Sequence, residues 1–431
     1  VNGGTHYYAY DIEKVNVTGG SSPDVLRGLS GNDTLNGAGG SDNISGAGGN
    51  DLVDAGDGND SVFAGFGNDS LTGGLGNDSL YGEDGDDLIV GGVSTDTLDG
   101  GTGIDTASYS DASGGVVVSL AVTGAQDTGS TGFDRLAGFE NLIGSAFGDV
   151  LTGDEAGNQL DGRAGNDTLT GGLGNDTFHI DSATDVVIEL SGGGTDLIIA
   201  SIHYSLTGTA LENLTLSGSE GVHASGNEVD NLLTGNTGNN VLDGQSGNDT
   251  MAGGLGDDLY QVDTAADSIV EAGGEGHDEV ESTVSFTLSS DVEALTLLGS
   301  DNLNGTGNAL DNVLVGNSGL NILTGGLGDD TYQIQNAGDV IVENSNEGQD
   351  QVVSLVSYTL VGNVENLSIA GLTDQTATGN VLANQIVGGI GNNLIDGALG
   401  ADTMSGNLGD DTFIVEDAGD TVSEGSEQGT D

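Results

Sequence analysis

The chain has 431 residues, with 69 Asp or Glu against 4 Lys or Arg, and carries a formal net charge of −65 at pH 7. That charge excludes binding to nucleic acid or an anionic membrane through the chain's own surface. With no cysteine, disulfides contribute nothing, and no apolar run approaches the roughly 18 residues of a membrane span.

Low hydrophobicity and high charge are ordinarily the marks of disorder, so any fold rests on periodicity. Residues 1–23 show least of it. Ile12-Glu13-Lys14-Val15-Asn16-Val17 resembles a later segment, Leu211-Glu212-Asn213-Leu214-Thr215-Leu216, and 1–23 is therefore expected to close an upstream repeat unit. No basic segment followed by an apolar one is visible at the start, so no secretory signal is read there.

Residues 24–108 are organised differently. From Gly28 to Ser108 the chain divides into nine blocks of nine residues. The sixth position is always aspartate: Asp33, Asp42, Asp51, Asp60, Asp69, Asp78, Asp87, Asp96 and Asp105; Asp24 extends the frame one block upstream. The eighth is always apolar, from Leu35 to Ala107, and the fourth is glycine except at Ser94, where the turn is in question. Glycines permit tight turns at positive φ, and the residues after each aspartate suit a short strand with its eighth-position side chain inward. One block cannot bury a single apolar residue alone, so blocks must stack as a solenoid. Two blocks make one coil, and aspartates two blocks apart lie one above another.

Stacked strands are about 4.8 Å apart, and two unit charges at that separation repel by roughly 1 kcal/mol in water and several-fold more when partly buried. A hard divalent cation between rungs, held by carboxylate and carbonyl oxygens, converts that repulsion into ligation. One edge would use Asp33, Asp51, Asp69, Asp87 and Asp105, the other Asp24, Asp42, Asp60, Asp78 and Asp96. Each interior aspartate would serve two ions, for about eight in all.

These blocks resemble the repeats-in-toxin (RTX) family. The resemblance implies an all-β fold, a right-handed parallel β-roll or β-solenoid of stacked nonapeptide turns binding multiple Ca2+, with loop carbonyls completing each site.

Residues 109–143 break the frame as a β spacer, with Val116-Val117-Val118-Ser119-Leu120 reading as a strand. Nonapeptides return over 144–179 with Asp149, Asn158, Asp167 and Asp176 at the sixth position. Spacer-plus-nonapeptide modules follow at 180–261, 262–333 and 334–414, their spacers nearly constant in length. Each spacer carries strand-like copies: Asp185-Val186-Val187-Ile188-Glu189, Asp267-Ser268-Ile269-Val270-Glu271 and Asp339-Val340-Ile341-Val342-Glu343. A strand such as Val352 to Leu360 and then Val364–Ile369 complete the pattern, and the spacers are expected to continue the solenoid as β-coils. Residues 415–431 begin a further module, so the natural protein is expected to extend beyond them.

The later arrays open on asparagine and end on aspartate: Asn231, Asn240, Asp249, Asp258; Asn312, Asn321, Asp330; Asn384, Asn393, Asp402, Asp411. Asparagine offers one neutral oxygen, so mixed rungs are expected to bind calcium more weakly than the first array; the alternative is a side-chain ladder without metal.

No G-x-S-x-G elbow or H-E-x-x-H motif occurs, and the chain is read as non-enzymatic. The expectation is a calcium-binding structural solenoid of a large secreted bacterial protein exported by type I secretion (an adhesin, surface-layer or extracellular fibre component) that folds on Ca2+ outside the cell. Its partners would be calcium ions, copies of itself in a fibre or surface assembly, or extracellular polysaccharide. The alternative is the calcium-binding C-terminal region of an RTX enzyme or toxin whose catalytic part lies elsewhere.

Overall fold

The computed structural model describes residues 14–424, which form two compact units divided between Thr215 and Leu216. The readings made above for residues 1–13 and 425–431 lie outside the described residues. Among the described residues there is no helix. Each unit is a β-solenoid of short strands paired in parallel.

In the first unit the register is the two-block step itself. Thr34 pairs with Leu52, Leu52 with Ser70 and Ser70 with Leu88 on one face, and Asn43, Ser61, Ser79 and Thr97 pair in turn on the other. The eighth-position residues Leu35, Ile44, Val53, Val62, Leu71, Leu80 and Ile89 are fully buried and stack as the core.

The strands are longer than the sequence reading. Leu52–Asp57, Ser61–Phe66 and Ser70–Leu75 each run through the first three positions of the next block. They can do so because positive φ falls at the second and fourth positions, as at Gly56 (99°) and Gly58 (149°). The stacked turns also touch: a Cβ on Gly58 would lie 1.4 Å from the Gly40 carbonyl oxygen. Ser94 adopts the same left-handed turn, with φ of 111°, and its N–H bonds the Thr131 carbonyl at 2.6 Å, so the turn survives the substitution.

The spacer at 109–143 is an excursion from one coil. Thr106 pairs with Asn141 and Thr97 with Arg135, so the stack resumes across the insertion. Within it, Val117–Ser119 is a strand as read, paired with Val150–Thr152. The antiparallel pair Gln126–Asp127 with Phe133–Ala137 was not anticipated.

In the second unit the spacers are themselves coils of the solenoid. Leu259 pairs with Glu279, Glu279 with Ala294 and Ala294 with Val313. The first of these coils is longer than the two-block coil, the second shorter and the third longer by one. Thr331, Gln351, Asn366 and Gln385 repeat the same three steps. Together the three equal three regular coils; in the spacer that begins at residue 180 the middle coil is one residue longer, with Glu212 sixteen residues beyond Asp196 where Glu293 and Glu365 lie fifteen beyond Asp278 and Asp350. The wide first coil is filled by a larger side chain at the eighth position, Phe178, Tyr260 or Tyr332, each fully buried.

The stretch Val352 to Leu360 is two strands, Gln351–Ser354 and Tyr358–Thr359. Buried Ser354 turns the corner by donating its Oγ–H to the Val356 carbonyl (2.7 Å). Ser282 does the same with Val284 (2.9 Å).

Candidate metal centre

The sixth-position aspartates of the first array are all buried. Along each edge, Oδ1 accepts a hydrogen bond from the backbone N–H of the aspartate one coil earlier. On one edge the N–H groups of Asp33, Asp51, Asp69 and Asp87 donate to Asp51, Asp69, Asp87 and Asp105 at 2.6–2.8 Å. On the other, Asp24, Asp42, Asp60 and Asp78 donate to Asp42, Asp60, Asp78 and Asp96 at 2.7–2.9 Å. The structure therefore brings together both expected edges.

A second ladder, missed in the sequence, runs beside the first in the opposite sense. Fifth-position N–H groups bond the side chain of the coil before, as Asn50 to Asn32 (2.9 Å), Asp86 to Asn68 (3.1 Å) and Asn77 to Asn59 (3.0 Å). The recurring Asn at that position was its signal.

The second oxygen of each sixth-position aspartate is the informative one. Oδ2 of Asp42, Asp51, Asp60, Asp69, Asp78, Asp87, Asp96 and Asp105 is buried without a hydrogen-bond partner. At Gly82, the point where a Cβ would sit lies 2.1 Å from Asp87 Oδ2 and 2.4 Å from the Gly100 carbonyl oxygen of the next coil. Gly46 stands in the same relation to Asp51 Oδ2 (2.1 Å) and the Ala64 carbonyl (2.6 Å). Acceptors converging without a donor between them suit a cation, and a hard one, since every atom is oxygen.

Electrostatics agree. Burial, reinforced by the charges of Asp51 and Asp87, pushes the Asp69 carboxyl up to about 7. Burial does the same to Asp96, to about 7, and to Asp51, Asp78 and Asp105, to about 6. Carboxylates held in this way favour either a proton or a metal.

The ladders end on other groups. The Asp105 N–H donates to Glu140 Oε2 (2.8 Å) and the Asp96 N–H to Asp134 Oδ1 (3.0 Å). Asp149 accepts from the Val116 N–H (2.8 Å) and stands above Asp167. Glu140 belongs to the Phe139-Glu140-Asn141-Leu142 segment, whose later copies place Glu212, Glu293 and Glu365 beneath Asp196, Asp278 and Asp350 in the same way.

Asparagine takes the top rung where the coil above presents a carbonyl instead of an N–H. Nδ2 of Asn158, Asn240, Asn312, Asn321 and Asn384 donates to the carbonyls of Glu140, Val222, Val292, Leu303 and Val364 at 2.9–3.2 Å. Their Oδ1 atoms accept from the N–H four residues back, at 2.7–2.9 Å. Asn231 and Asn393 make that last bond as well, to Asn227 and Gly389. Beneath them, Asp176, Asp249, Asp258, Asp330 and Asp402 again leave a buried Oδ2 without a partner, as does Asp167 beneath Asp149, while Asp411 accepts the Asn393 N–H at 2.6 Å. Asn321→Asp, isosteric but acceptor against acceptor at Leu303, should therefore destabilise its module by about 2 kcal/mol at neutral pH. Denaturant unfolding at saturating calcium measures it.

Three further groups join the ladder's end to the spacer. Oxygens of Asp176, Glu189 and Asp196 lie within 4.8 Å of one another, as do those of Asp258, Glu271 and Asp278, and of Asp330, Glu343 and Asp350. Only the first residue of each was read as a ligand from sequence. The signal was the recurrence of the Asp-x-x-x-Glu and Gly-x-Asp segments at constant offsets.

The fold and these rungs define an acidic β-solenoid whose coils are joined through buried carboxylates that could hold a hard cation. The chain belongs to the family of RTX calcium-binding nonapeptide repeats: that family's profile matches residues 18–107 in overlapping segments, 143–178, 225–260, 306–333 and 378–413, together just over half of the chain. Its repeats bind Ca2+. The chain is also similar to the endo-1,3-1,4-beta-glycanase ExsH of Rhizobium meliloti (strain 1021), 37% identical over 84 residues. That match covers 19% of this chain and 18% of the glycanase, so the chain spans less than a fifth of that relative's length.

Proposed function

We propose that the chain is a structural solenoid of a secreted bacterial protein, an adhesin, surface-layer or fibre component, which folds on calcium outside the cell and has no catalytic role of its own. The observation that carries the reading is the column of buried, partnerless carboxylate oxygens in the first array. Calcium supplies the positive charge those oxygens lack, and the chain's residues supply the spacing. Outside the cell calcium is abundant; inside it is scarce, so the chain would pass through an export channel before its coils close.

The test is the calcium midpoint of folding. Extracellular calcium modules have dissociation constants of about 10⁻⁴ to 10⁻³ M, and a midpoint in that range is expected by far-UV circular dichroism. A midpoint below about 10⁻⁶ M, where cytosolic sensors and buffers work, would mean folding before export and would contradict the reading.

A second reading has its own observation, the partial similarity to a glycanase. In it the same solenoid is the calcium-binding region of a secreted enzyme acting on polysaccharide. In that reading the catalytic part lies outside the chain, so the sequence flanking these residues separates the two: a glycanase domain beside the solenoid would favour the enzyme, and continued spacer-plus-nonapeptide modules are expected instead.

A further inference from the structure

The three carboxylate groups at the ends of the nonapeptide arrays differ from the ladder rungs in composition and in placement. Each combines the last sixth-position aspartate of an array with a glutamate and an aspartate from the spacer that follows. In the third, Asp330, Glu343 and Asp350 are respectively 1%, 8% and 1% exposed, and Asp330 Oδ2, Glu343 Oε2 and Asp350 Oδ2 all lack a partner. Asp258 Oδ2 with Glu271 Oε2, and Asp176 Oδ2 with Glu189 Oε2, repeat the arrangement. Elsewhere in the third group the atoms are well satisfied: Asp350 Oδ1 accepts the Asp330 N–H at 3.0 Å, and the Tyr332 hydroxyl donates to Glu343 Oε1 while accepting the Gly325 N–H. The unpartnered oxygens are thus what remains after the protein's own donors are used.

We propose that each of these clusters is a calcium site of a second kind, made by the spacer and not by the nonapeptide ladder, and resting on the reading that the chain is calcium-loaded. Three carboxylates without histidine or thiol select a hard divalent cation. The oxygens lie within 4.8 Å of one another, no more than about twice a Ca–O bond of about 2.4 Å, so one ion can bridge the set. Three negative charges exceed what a single ladder rung offers, and more ligand charge means tighter binding for such an ion. Held in this way, the ion ties the array's last coil to the wider coil that follows, where the register departs from the two-block step.

The experiment compares the wild-type chain with the triple variant Glu189→Gln, Glu271→Gln, Glu343→Gln, which leaves every nonapeptide residue intact. Equilibrium dialysis should show three fewer calcium ions per chain in the variant. Terbium, substituted for calcium and excited through tyrosine, reports the same sites, because Tyr332 touches Glu343 and the Tyr260 hydroxyl shares the Gly253 N–H with Glu271. Its emission should fall by more than half in the variant. Tyr332→Phe, which removes no carboxylate, should keep the wild-type stoichiometry with reduced emission, and this holds even where the triple variant folds poorly. Wild-type stoichiometry and emission in the triple variant would overturn the proposal, leaving clusters that share protons only. A wild-type chain that takes up no calcium at all would overturn the ladder reading with it.

Discussion

Removal of calcium at pH 7.5 should unfold residues 24–108 while the later modules hold to lower free calcium. The ladder there places five aspartates on each edge, which gives four adjacent pairs per edge. Each pair repels by roughly 1 kcal/mol in water and several-fold more where burial lowers the dielectric. Summed over the array, this is comparable with the whole stability of an ordinary domain, about 5–15 kcal/mol. The single inward side chain per block cannot offset it. Binding energy is therefore folding energy. The later arrays carry the opposite balance: their top rungs are neutral amides already bonded at both ends, as at Asn240 and Asn321. In a solenoid, where each coil is stabilised by its neighbours, the weakest array opens first. Far-UV circular dichroism against free calcium should show two steps, with the N-terminal array giving the step at the higher calcium concentration and the more numerous strands of the later modules the larger loss at the lower one.

Acid should rescue the metal-free chain. An unfolded aspartate titrates near 3.9, whereas burial holds Asp69 and Asp96 at about 7 and Asp51, Asp78 and Asp105 at about 6 in the folded array. The folded carboxyls bind protons more tightly than the unfolded ones, so stability falls as pH rises between these values. Their contribution is fully present below about pH 4 and is lost as pH climbs through 6 to 7. Metal-free protein should keep β structure at pH 5 and lose it by pH 7.5. With calcium present the sign reverses, because protons and calcium compete for the same oxygens, and calcium uptake at pH 6.5 should release protons. A metal-free chain that loses β structure on going from pH 7.5 to 5 would contradict the account.

How far these features could be read from sequence follows from the range of the interactions. The two-block step, the inward eighth position and the two aspartate edges follow from a short period that any two blocks display. The role of Asn158, Asn240 and Asn321 does not, because it depends on whether the coil above presents N–H or C=O, which only the closed coil determines. Glu271 and Glu343 escaped for a related reason. They lie in the spacers, off the nonapeptide frame, and reach their ladder partners only because the coil widens around Tyr260 and Tyr332. The nearly constant spacer length was visible, but its division into three unequal coils was not.

The central claim is that buried carboxylate rungs make folding of the first array depend on calcium. Hydrogen exchange followed by mass spectrometry at graded free calcium tests it where the rungs stand. The account predicts that amides across 28–108 gain protection only as calcium rises, while peptides from 226–261 and 379–414 remain protected at lower concentrations. Protection across 28–108 that is indifferent to calcium, or lost later than in those two segments, would contradict it.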